Sequence, residues 1–332
     1  MNAATPAHAQ LIEDIDISEP VAAGDEHFAR DLIAGLSCAQ KQVPSRYFYD
    51  GQGSDLFEQI TRLPEYYPTR AEIEILRANA GAMAGDFEAG AALIEFGSGS
   101  SRKTEILLEA FTDLAAYVPI DVSADALQDA QARLGRRFPR LRVVPIQGDF
   151  TTMETWPGLT HLHKRIGFFP GSTIGNFTAA QAKSLLQRLA RLLGPGSRLI
   201  IGVDLVKDRD VLLRAYDDAS GVTARFNLNV LAHANRRFGA VFDLDSFEHR
   251  ALYNEAEQRI EMHLVSKASQ TIMLLGRAFH LAAKETIRTE LSHKYTLTRF
   301  GRLATEAGWQ PTRVWQDRAG LFSVHELIAR VD

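Results

Sequence analysis

Cysteine is almost absent from this sequence of 332 residues, in which Cys38 stands alone. A single thiol excludes an internal disulfide framework and any zinc site built from several cysteines, and it is typical of a reducing compartment. Residues 1–20 carry acids where a secretory signal needs basic and then apolar residues, and no run approaches the ~20 apolar residues of a membrane span. We therefore expect a cytoplasmic protein without a membrane partner.

The chain also lacks an excess of basic charge. With 37 Lys and Arg against 41 Asp and Glu, its formal net charge is -4, which gives no general attraction to nucleic acid. Ten histidines are present, but no HExxH or comparable ligand set accompanies His161 and His163, so a metal site is not predicted. These absences favour a small-molecule substrate and no nucleic-acid partner; we also expect a monomer, although the sequence itself does not report oligomeric state.

What the chain does contain, between residues 91 and 206, is an alternation of short apolar runs and helical stretches. This alternation predicts an α/β fold, in which parallel strands are joined by crossover helices. The predicted strands are Ala92–Phe96, Ala116–Ile120, Leu141–Ile146, Ile166–Phe169 and Arg198–Leu205. Helices are predicted over Ala124–Arg137 and Ala179–Leu193, because Ser123 and Thr178 can cap them and apolar residues recur at helical spacing.

The flanking segments have a different pattern, which predicts a second, α+β lobe. Residues 1–70 are mainly helical and loop-like, and 207–290 combines a helix near Asp210–Ala234 with strand-like runs at Ile260–Val265 and Leu274–Leu281. A helix over Thr298–Ala307 should end at Gly308, before strands at Thr312–Trp315 and Phe322–Leu327. We expect this last piece to return to the first sheet and to complete it with an antiparallel strand.

The segment Ile94–Thr104 predicts a nucleotide-cofactor loop. An apolar strand turns through Gly97-Ser98-Gly99 and enters a helix-compatible stretch. Glycines let the backbone approach a ligand closely, and a helix start offers N–H groups and partial positive charge to an anion. A dinucleotide fingerprint needs Gly or Ala at its sixth position, where this chain has Arg102. S-adenosylmethionine is therefore favoured, and an NAD-dependent oxidoreductase remains the weaker alternative.

Acids follow the predicted strands, at the edge where open α/β sheets bind ligands. Asp121 can accept hydrogen bonds from ribose hydroxyls, and Asp149 can bond an adenine amine while Phe150 covers the adenine face. A helix cap at Asp121 and a turn acid at Asp149 are the structural alternatives. Lys103 stands where the helix dipole is positive, so we assign it to the methionine carboxylate. A solvated surface lysine is the alternative there.

The segment Phe168–Phe177 follows the fourth predicted strand, beside the expected methyl end of the cofactor. It contains two glycines and several small polar groups, which suit a methyl acceptor. Asn176 offers both a donor and an acceptor, as a zwitterionic amine and carboxylate require. A purely structural role for Asn176 at a helix entry stays open.

With these motifs in place, the chain resembles the histidine Nα-methyltransferases of ergothioneine biosynthesis, which use S-adenosylmethionine to convert histidine into its trimethylated betaine, hercynine. The segments that carry the resemblance are Ser45–Arg70, Glu95–Thr104, Gly148–Phe150, Gly171–Asn176, Asp204–Asp208, Arg214–Asn227 and Phe242–His249. The resemblance implies a Rossmann-like class I methyltransferase domain, for which we predict residues 71–206 and 295–332. It also implies a substrate-binding domain, predicted at 15–70 and 207–294, with 1–14 disordered.

The resemblance assigns site residues by motif. The cofactor residues that it implies are Gly97, Lys103, Asp121, Asp149 and Phe150. The substrate residues that it implies are Tyr49, Tyr66, Gly171, Asn176, Tyr216, Met262, Glu290 and Ser292. Asn176 and Tyr216 would hold the α-amine and carboxylate, with Gly171 and Tyr49 at the same end.

Glu290 and Ser292 would grip the imidazole, with Tyr66 and Met262 as walls of the side-chain pocket. A carboxylate that faces an imidazole N–H discriminates strongly, because an analogue without that donor leaves a buried acceptor unpaired. From composition alone, the tyrosines could be amphipathic packing residues and Met262 a core residue of an alternating strand.

The chemistry implied is an in-line methyl transfer to a neutral α-amine, for which the enzyme mainly positions the two reactants. Each of the first two products must lose a proton before the next transfer, to water or to a network that includes Tyr49. Two alternatives stay open: methylation of another amino acid or small amine, and a non-catalytic protein that binds S-adenosylmethionine.

Overall fold

The structure is a computed structural model, and it describes residues 25–85, 89–99, 102–155 and 164–330. Residues 1–14, Ser101, His161 and His163, on which sequence predictions fall, lie outside that part. The chain forms two compact units. One contains the described residues up to Glu65 with Arg209–Ala256 and Ile260–Leu291, and the other contains Tyr66–Asp208, Glu257–Arg259 and the described residues from Ser292.

The helices and strands follow one another along the chain in an order that alternates in its middle third. The helices are α1 (Glu26–Ser37), α2 (Gly51–Ile60), α3 (Tyr67–Ala84), α4 (Arg102–Ala110), α5 (Ala124–Arg137), α6 (Ala179–Leu193), α7 (Arg209–Tyr216), α8 (Val222–Phe238) and α9 (Leu297–Glu306). The strands are β1 (Lys41–Gln42), β2 (Ala92–Phe96), β3 (Ala116–Asp121), β4 (Ile146–Gln147), β5 (Arg165–Phe169), β6 (Arg198–Asp204), β7 (Phe247–Asn254), β8 (Arg259–Ser266), β9 (Gln270–Leu274), β10 (Arg277–Leu281), β11 (Thr286–His293), β12 (Trp309–Gln316) and β13 (Phe322–Ala329).

A seven-stranded sheet forms the centre of the second unit, with the order β12-β13-β6-β5-β2-β3-β4 among the described strands. The neighbours from β6 to β4 are parallel, while β13 is antiparallel to both β6 and β12. Strand order reverses between β2 and β5, and in doubly wound folds ligands bind beyond the carboxyl ends of the strands at that point. The predicted Rossmann-like fold and its antiparallel completing strand are confirmed.

Local sequence explains why the crossover elements form where they do. All five residues of β2 are buried, as expected for a strand covered on both faces. Ser123 caps α5 through the N–H of Ala126, and Thr178 forms a capping box with Gln181 at the start of α6. Both predicted helices therefore have the predicted bounds, and the leucines of α6 lie in the core.

The first unit contains a four-stranded sheet of order β1-β11-β8-β7, a hairpin of β9 and β10, and the helices α1, α2, α7 and α8. Its short strand β1 pairs parallel to β11, with Lys41 opposite Ile287. Asp50 caps the start of helix α2, because its carboxylate accepts a hydrogen bond from the N–H of Gly53.

Three predicted elements differ from the observed ones. The single helix near Asp210–Ala234 is two helices, because the Asp218 carboxylate accepts hydrogen bonds from the N–H groups of Val222 and Thr223 and so starts α8. The run Leu274–Leu281 is a hairpin that turns through Leu275-Gly276, both at positive φ, as a two-residue turn of type I′ requires.

The predicted strand Leu141–Ile146 is the third. Only Val143 forms an isolated bridge, to Tyr117, and the strand itself is Ile146–Gln147. Pro145 has no N–H to donate to a ladder, which interrupts the pairing. Among the described residues, no helix combines the length and the apolar character that crossing a membrane requires.

Candidate active site

The glycine loop is hydrogen-bonded to Asp121 at the end of β3. Gly97 and Gly99 both have positive φ, at 71° and 45°, which residues with a side chain rarely adopt. The N–H of Gly99 donates to an Asp121 carboxylate oxygen at 2.8 Å, and the other oxygen accepts from the N–H of Ser123 at 3.0 Å. Asp121 therefore lies beside the loop, where its hydrogen bond from Ser123 forms a turn, whereas the residue that caps α5 is Ser123.

Phe150 lies over the same loop. A Cβ atom on Gly97 would be 3.5 Å from its ring, and the ring packs edge-on against Phe96 and Phe169 with centroids 6.0 and 5.4 Å apart. One face of this aromatic cluster is thus held rigidly beside the backbone turn. Such a placement suits a ring that covers a flat ligand.

Asp149 directly precedes that ring. One of its carboxylate oxygens accepts hydrogen bonds from the N–H and the hydroxyl of Thr151, at 2.8 and 2.6 Å. This is the turn geometry that was the structural alternative for Asp149. A carboxylate has acceptor sites for about four hydrogen bonds, so the turn does not use up its capacity.

Lys103 is placed on α4 as predicted, but its partner is a side chain that sequence reasoning missed. Its ammonium group lies 2.5 Å from an oxygen of Glu72, and both Glu72 oxygens accept the N–H of Gly171, at 3.0 and 2.9 Å. Glu72 is fully buried, in a space that Gly202 leaves open, since a Cβ there would be 2.1 Å from a Glu72 oxygen. Lys103 therefore joins the helix after the glycine loop to the loop after β5.

The signal that could have found Glu72 is its position on the apolar face of α3. Its neighbours on that face, Ala71, Ile75 and Leu76, are buried. A glutamate is almost never buried without a partner, so a carboxylate at that position predicts a cation nearby.

The loop after β5 contains Gly171 and Ser172, both at positive φ, followed by a 3-10 turn over Thr173–Asn176. The Ser172 hydroxyl accepts the N–H of Asp204 at 2.9 Å. A Cβ on Gly175 would be 2.8 Å from the carbonyl oxygen of His293. Because Gly175 has no side chain, the 3-10 turn that contains half-buried Asn176 packs against the end of β11.

A buried ion cluster lies at the end of β6, and it was not predicted from the sequence. The Asp204 carboxylate accepts hydrogen bonds from the ammonium groups of Lys294 and Lys207, at 2.7 and 2.6 Å, and from the Tyr67 hydroxyl. Lys294 also donates to the Ser292 hydroxyl at 2.8 Å. Burial alone would raise the pKa of Asp204, but the two ammonium groups lower it below its usual value. Asp204 is therefore ionised.

In the first unit, a hydrogen-bonded chain connects predicted substrate residues. The carbonyl of Tyr216, the last residue of α7, accepts from His249 Nε2 at 2.8 Å, and His249 Nδ1 accepts from the Asn227 amide at 2.8 Å. The Thr289 hydroxyl donates to the Asn227 amide oxygen at 2.6 Å and approaches the carbonyl of Met262 at 3.1 Å. Burial lowers the pKa of His249, which agrees with a neutral ring in this chain.

Tyr49 belongs to an aromatic cluster in the same unit. Its ring is edge-on to Phe57 and Phe226, with centroids 5.5 and 5.6 Å away. Met262 is buried in β8, as its alternative reading as a core residue requires. Of the predicted substrate residues, Tyr49, Tyr216, Met262 and Glu290 belong to the first unit, and Tyr66, Gly171, Asn176 and Ser292 to the second.

Glu95, the second-last residue of β2, is buried near the glycine loop. The hydroxyls of Thr104 and Tyr117 donate to its carboxyl group. Burial raises the pKa of Glu95 to about 8, against the lowering effect of those two hydroxyls. Glu95 therefore carries a proton at neutral pH, and its hydrogen bonds connect the end of β2 to α4 and β3. In the described part of the chain, no group of three or more His, Cys, Asp or Glu side chains could hold a metal ion.

Comparison with known proteins agrees with this geometry. Residues 28–329 match the family described as histidine-specific methyltransferase, SAM-dependent. The chain is 46% identical over 305 residues to histidine N-alpha-methyltransferase of Mycolicibacterium smegmatis, covering 90% of this chain and 94% of that protein. It is 42% identical over 307 residues to the protein of that name from Mycobacterium tuberculosis, covering 91% and 95%.

A solved S-adenosylmethionine-dependent methyltransferase from Clostridium acetobutylicum is similar over 83% of this chain and 99% of its own, at 8% identity and a TM-score of 0.49. The family match extends across both compact units, from α1 to the end of β13. The chain belongs to the family of histidine-specific, S-adenosylmethionine-dependent methyltransferases.

Proposed function

We propose that this protein trimethylates the α-amine of L-histidine to give hercynine, a step of ergothioneine biosynthesis, in successive transfers from S-adenosylmethionine. The observation that carries the proposal is the family match along nearly the whole chain, at 46% identity to a histidine N-alpha-methyltransferase. The glycine loop, Asp121 and Phe150 support it, because they stand together beyond the carboxyl ends of β2, β3 and β4.

The residues at that edge fit the cofactor. The Ser98 hydroxyl is buried without a hydrogen-bond partner in the described part of the chain, which indicates that a bound group completes it. Gly97, Asp121, Asp149 and Phe150 would hold the adenosine, and Lys103 the carboxylate. When bound, S-adenosylmethionine supplies an electrophilic methyl group on a sulfonium sulfur, whose S–C bond breaks as the N–C bond forms.

The protein's own contribution is position and proton transfer. Asn176 and Tyr216 would hold the α-amine and carboxylate, with Gly171 and Tyr49 near them and with Tyr66 and Met262 along the side chain. Positioning of this kind accounts for a large share of catalysis in bimolecular reactions. The amine needs a lone pair, so each ammonium formed must release its proton to water or through Tyr49 before it reacts again.

The arrangement of domains is part of the proposal. We propose residues 71–206 with 295–332 as the methyltransferase domain and 15–70 with 207–294 as the substrate-binding domain. The two compact units, which divide after Glu65, Asp208 and Leu291, support this division. We further propose that the protein acts as a cytoplasmic monomer on L-histidine.

The test is incubation of the protein with histidine and S-adenosylmethionine, followed by mass spectrometry. We expect mono-, di- and trimethylhistidine to appear in that order, and histidine to be consumed first when other amino acids compete. If no methylated histidine forms, the assignment is wrong. If calorimetry then shows cofactor binding while no acceptor in a panel of amines is consumed, the protein is a non-catalytic binder.

A further inference from the structure

The hydroxyl of Ser292 has a partner that constrains its chemistry. Ser292 lies near the end of β11, and the Lys294 ammonium group donates to its oxygen at 2.8 Å. Both side chains are buried, Lys294 completely. The contact is therefore shielded from water, and the hydroxyl does not exchange this donor for solvent.

Lys294 is itself held in place by the cluster at the end of β6. Its ammonium group lies 2.7 Å from Asp204, which also binds Lys207 at 2.6 Å and the Tyr67 hydroxyl. Lys207 in turn donates to the Tyr67 hydroxyl at 2.7 Å. Within this cluster, Lys294 has a contact to Ser292, whereas the contacts of Lys207 run to Asp204, Tyr67 and the carbonyl of Leu205.

The chemistry of the two groups fixes the direction of the hydrogen bond. An ammonium group has three donors and no acceptor, while a hydroxyl has a single hydrogen and two lone pairs. Ser292 must therefore accept from Lys294, and its hydrogen must go to a different acceptor. A serine without such a neighbour could rotate and either donate or accept.

We propose that Lys294 is a positioning residue that fixes Ser292 as a hydrogen-bond donor, so that this site selects a ring nitrogen that carries no proton. The inference rests on the proposed function, in which Ser292 and Glu290 bind the imidazole. Glu290 stands two residues earlier on β11, so both side chains project from one face of the strand. Glu290 accepts from one ring nitrogen and Ser292 donates to the other, which is the pattern of a neutral imidazole.

The charges around Ser292 act in the same direction. Lys294 and Lys207 both bind Asp204, and Asp317 also acts on Lys207. Burial lowers the pKa of Lys207 to about 8, so Lys207 becomes fully charged as the pH falls from 7.5 and adds positive charge near the hydroxyl. His293 follows Ser292 directly, and burial with the nearby Arg259 and Arg299 lowers its pKa to about 4. The carboxylate of Glu290 opposes these groups, since it favours a protonated ring.

The first test is on the wild-type protein, with S-adenosylhomocysteine present so that no transfer occurs. Calorimetry gives the dissociation constant of histidine between pH 7.5 and 5.5. An imidazole with an ordinary pKa near 6.5 becomes protonated in that window. We expect the dissociation constant to rise about tenfold over it, because the protonated ring offers Ser292 no acceptor.

Three variants distinguish the effect of the Ser292 hydrogen-bond donor on histidine binding from the effect of the nearby positive charge. In Lys294→Met the hydroxyl can rotate, so the rise should shrink to about twofold or less. Ser292→Ala keeps the charge of Lys294 and should lose the rise as well, with binding at pH 7.5 weaker by about tenfold. Lys207→Met removes an ammonium group from the same carboxylate and leaves Ser292 untouched, so it should retain the steep wild-type profile.

Tighter binding of histidine at pH 5.5 than at 7.5 by the wild type would overturn the proposal. The proposal would also be overturned if the dissociation constant of Lys294→Met rose as steeply as that of the wild type. An equal loss of the rise in Lys207→Met would overturn it too, because that result would point to charge alone. If Lys294→Met does not fold, the wild-type and Ser292→Ala profiles decide. If the protein methylates histidine but its dissociation constant for histidine does not change with pH, only this inference is refuted. If it neither binds nor methylates histidine, the proposed function is refuted too.

Discussion

At the scale of single residues, the fully buried carboxylate of Glu72 connects three separate segments of the second unit. Its carboxylate meets a lysine from α4, a backbone N–H after β5 and the bare Cα of Gly202. Ion pairs that lie in the interior are costly to break, because the remaining charge is left without compensation. The positions of α4, which follows the glycine loop, and of the loop after β5 therefore both depend on the Glu72 side chain.

We expect Gly202→Ala to lower the free energy of unfolding by about 1–3 kcal/mol, the usual cost of overpacking. The added methyl group would lie 2.1 Å from a Glu72 oxygen. In a Glu72→Ala background that oxygen is gone, so the same substitution should cost much less. Urea denaturation of the two single variants and the double variant measures the coupling, and additive costs would contradict it.

Glu290 is the residue on which substrate choice should depend. We expect Glu290→Ala to raise the KM for histidine by 100-fold or more, since the imidazole N–H loses its acceptor, while the dissociation constant of S-adenosylmethionine stays within about twofold. Glu248→Ala, which removes an exposed glutamate of β7, is the matched control. Histidine turnover that survives Glu290→Ala intact would show that the imidazole lies elsewhere.

At the scale of elements, the contact between the loop after β5 and the end of β11 sets the position of Asn176. We expect Gly175→Ala to destabilise the protein by about 1–3 kcal/mol and to raise the KM for histidine, because its Cβ would be 2.8 Å from the His293 carbonyl oxygen. Gly135→Ala is the control, since no atom lies within 4 Å of its added methyl group inside α5. That variant should gain about 0.5–1 kcal/mol. Equal thermal shifts in both variants would be evidence against the contact.

The helices that the sequence predicted well are those with a capping residue at their start. Ser123 and Thr178 cap α5 and α6, and the predicted bounds of both helices are confirmed. The predicted helix near Asp210–Ala234 was wrong because Asp218 caps a new helix inside an otherwise continuous periodicity. A cap at Asp218 was not predicted from the sequence, although Gly221, which directly precedes α8, is a residue typical of a helix boundary.

The ion cluster around Asp204 lay beyond sequence reasoning for a different reason. Tyr67 and Lys294, its partners, are 137 and 90 residues away along the chain. No periodicity or cap connects such positions, and only the fold brings them together. The cofactor residues were easier to predict, because parallel strands place their carboxyl ends at one edge whatever the rest of the chain does.

At the scale of the whole molecule, buried titratable groups should shape the stability profile. Burial raises the pKa of Glu95 to about 8 and lowers those of His293 and His325 to about 4. The stabilisation from neutral Glu95 is full below its unfolded pKa of 4.5 and is lost as pH rises through 8. The stabilisation from the two neutral histidines is full above pH 6.5 and is lost as the pH falls through 4.

We therefore expect Glu95→Gln, which keeps an acceptor for Thr104 and Tyr117, to remove the alkaline part of this dependence. Between pH 6.5 and 8 the wild type should lose about 2 kcal/mol relative to the variant, from about 1.4 kcal/mol per pH unit. Urea midpoints at several pH values measure the difference. Parallel profiles for the two proteins would mean that Glu95 is ionised in the folded state.

The antiparallel strand β13 has a consequence for how the protein is made. It fills the place between β6 and β12, yet it is the last of these strands to leave the ribosome. After β6 is made, roughly 120 further residues must follow, which takes on the order of ten seconds at usual rates of synthesis. During that time β6 has an open edge that can pair with other chains. We expect nascent chains stalled before β13 to be cleaved by protease much faster than the released full-length chain, and equal cleavage would show that the sheet is protected without its final strand.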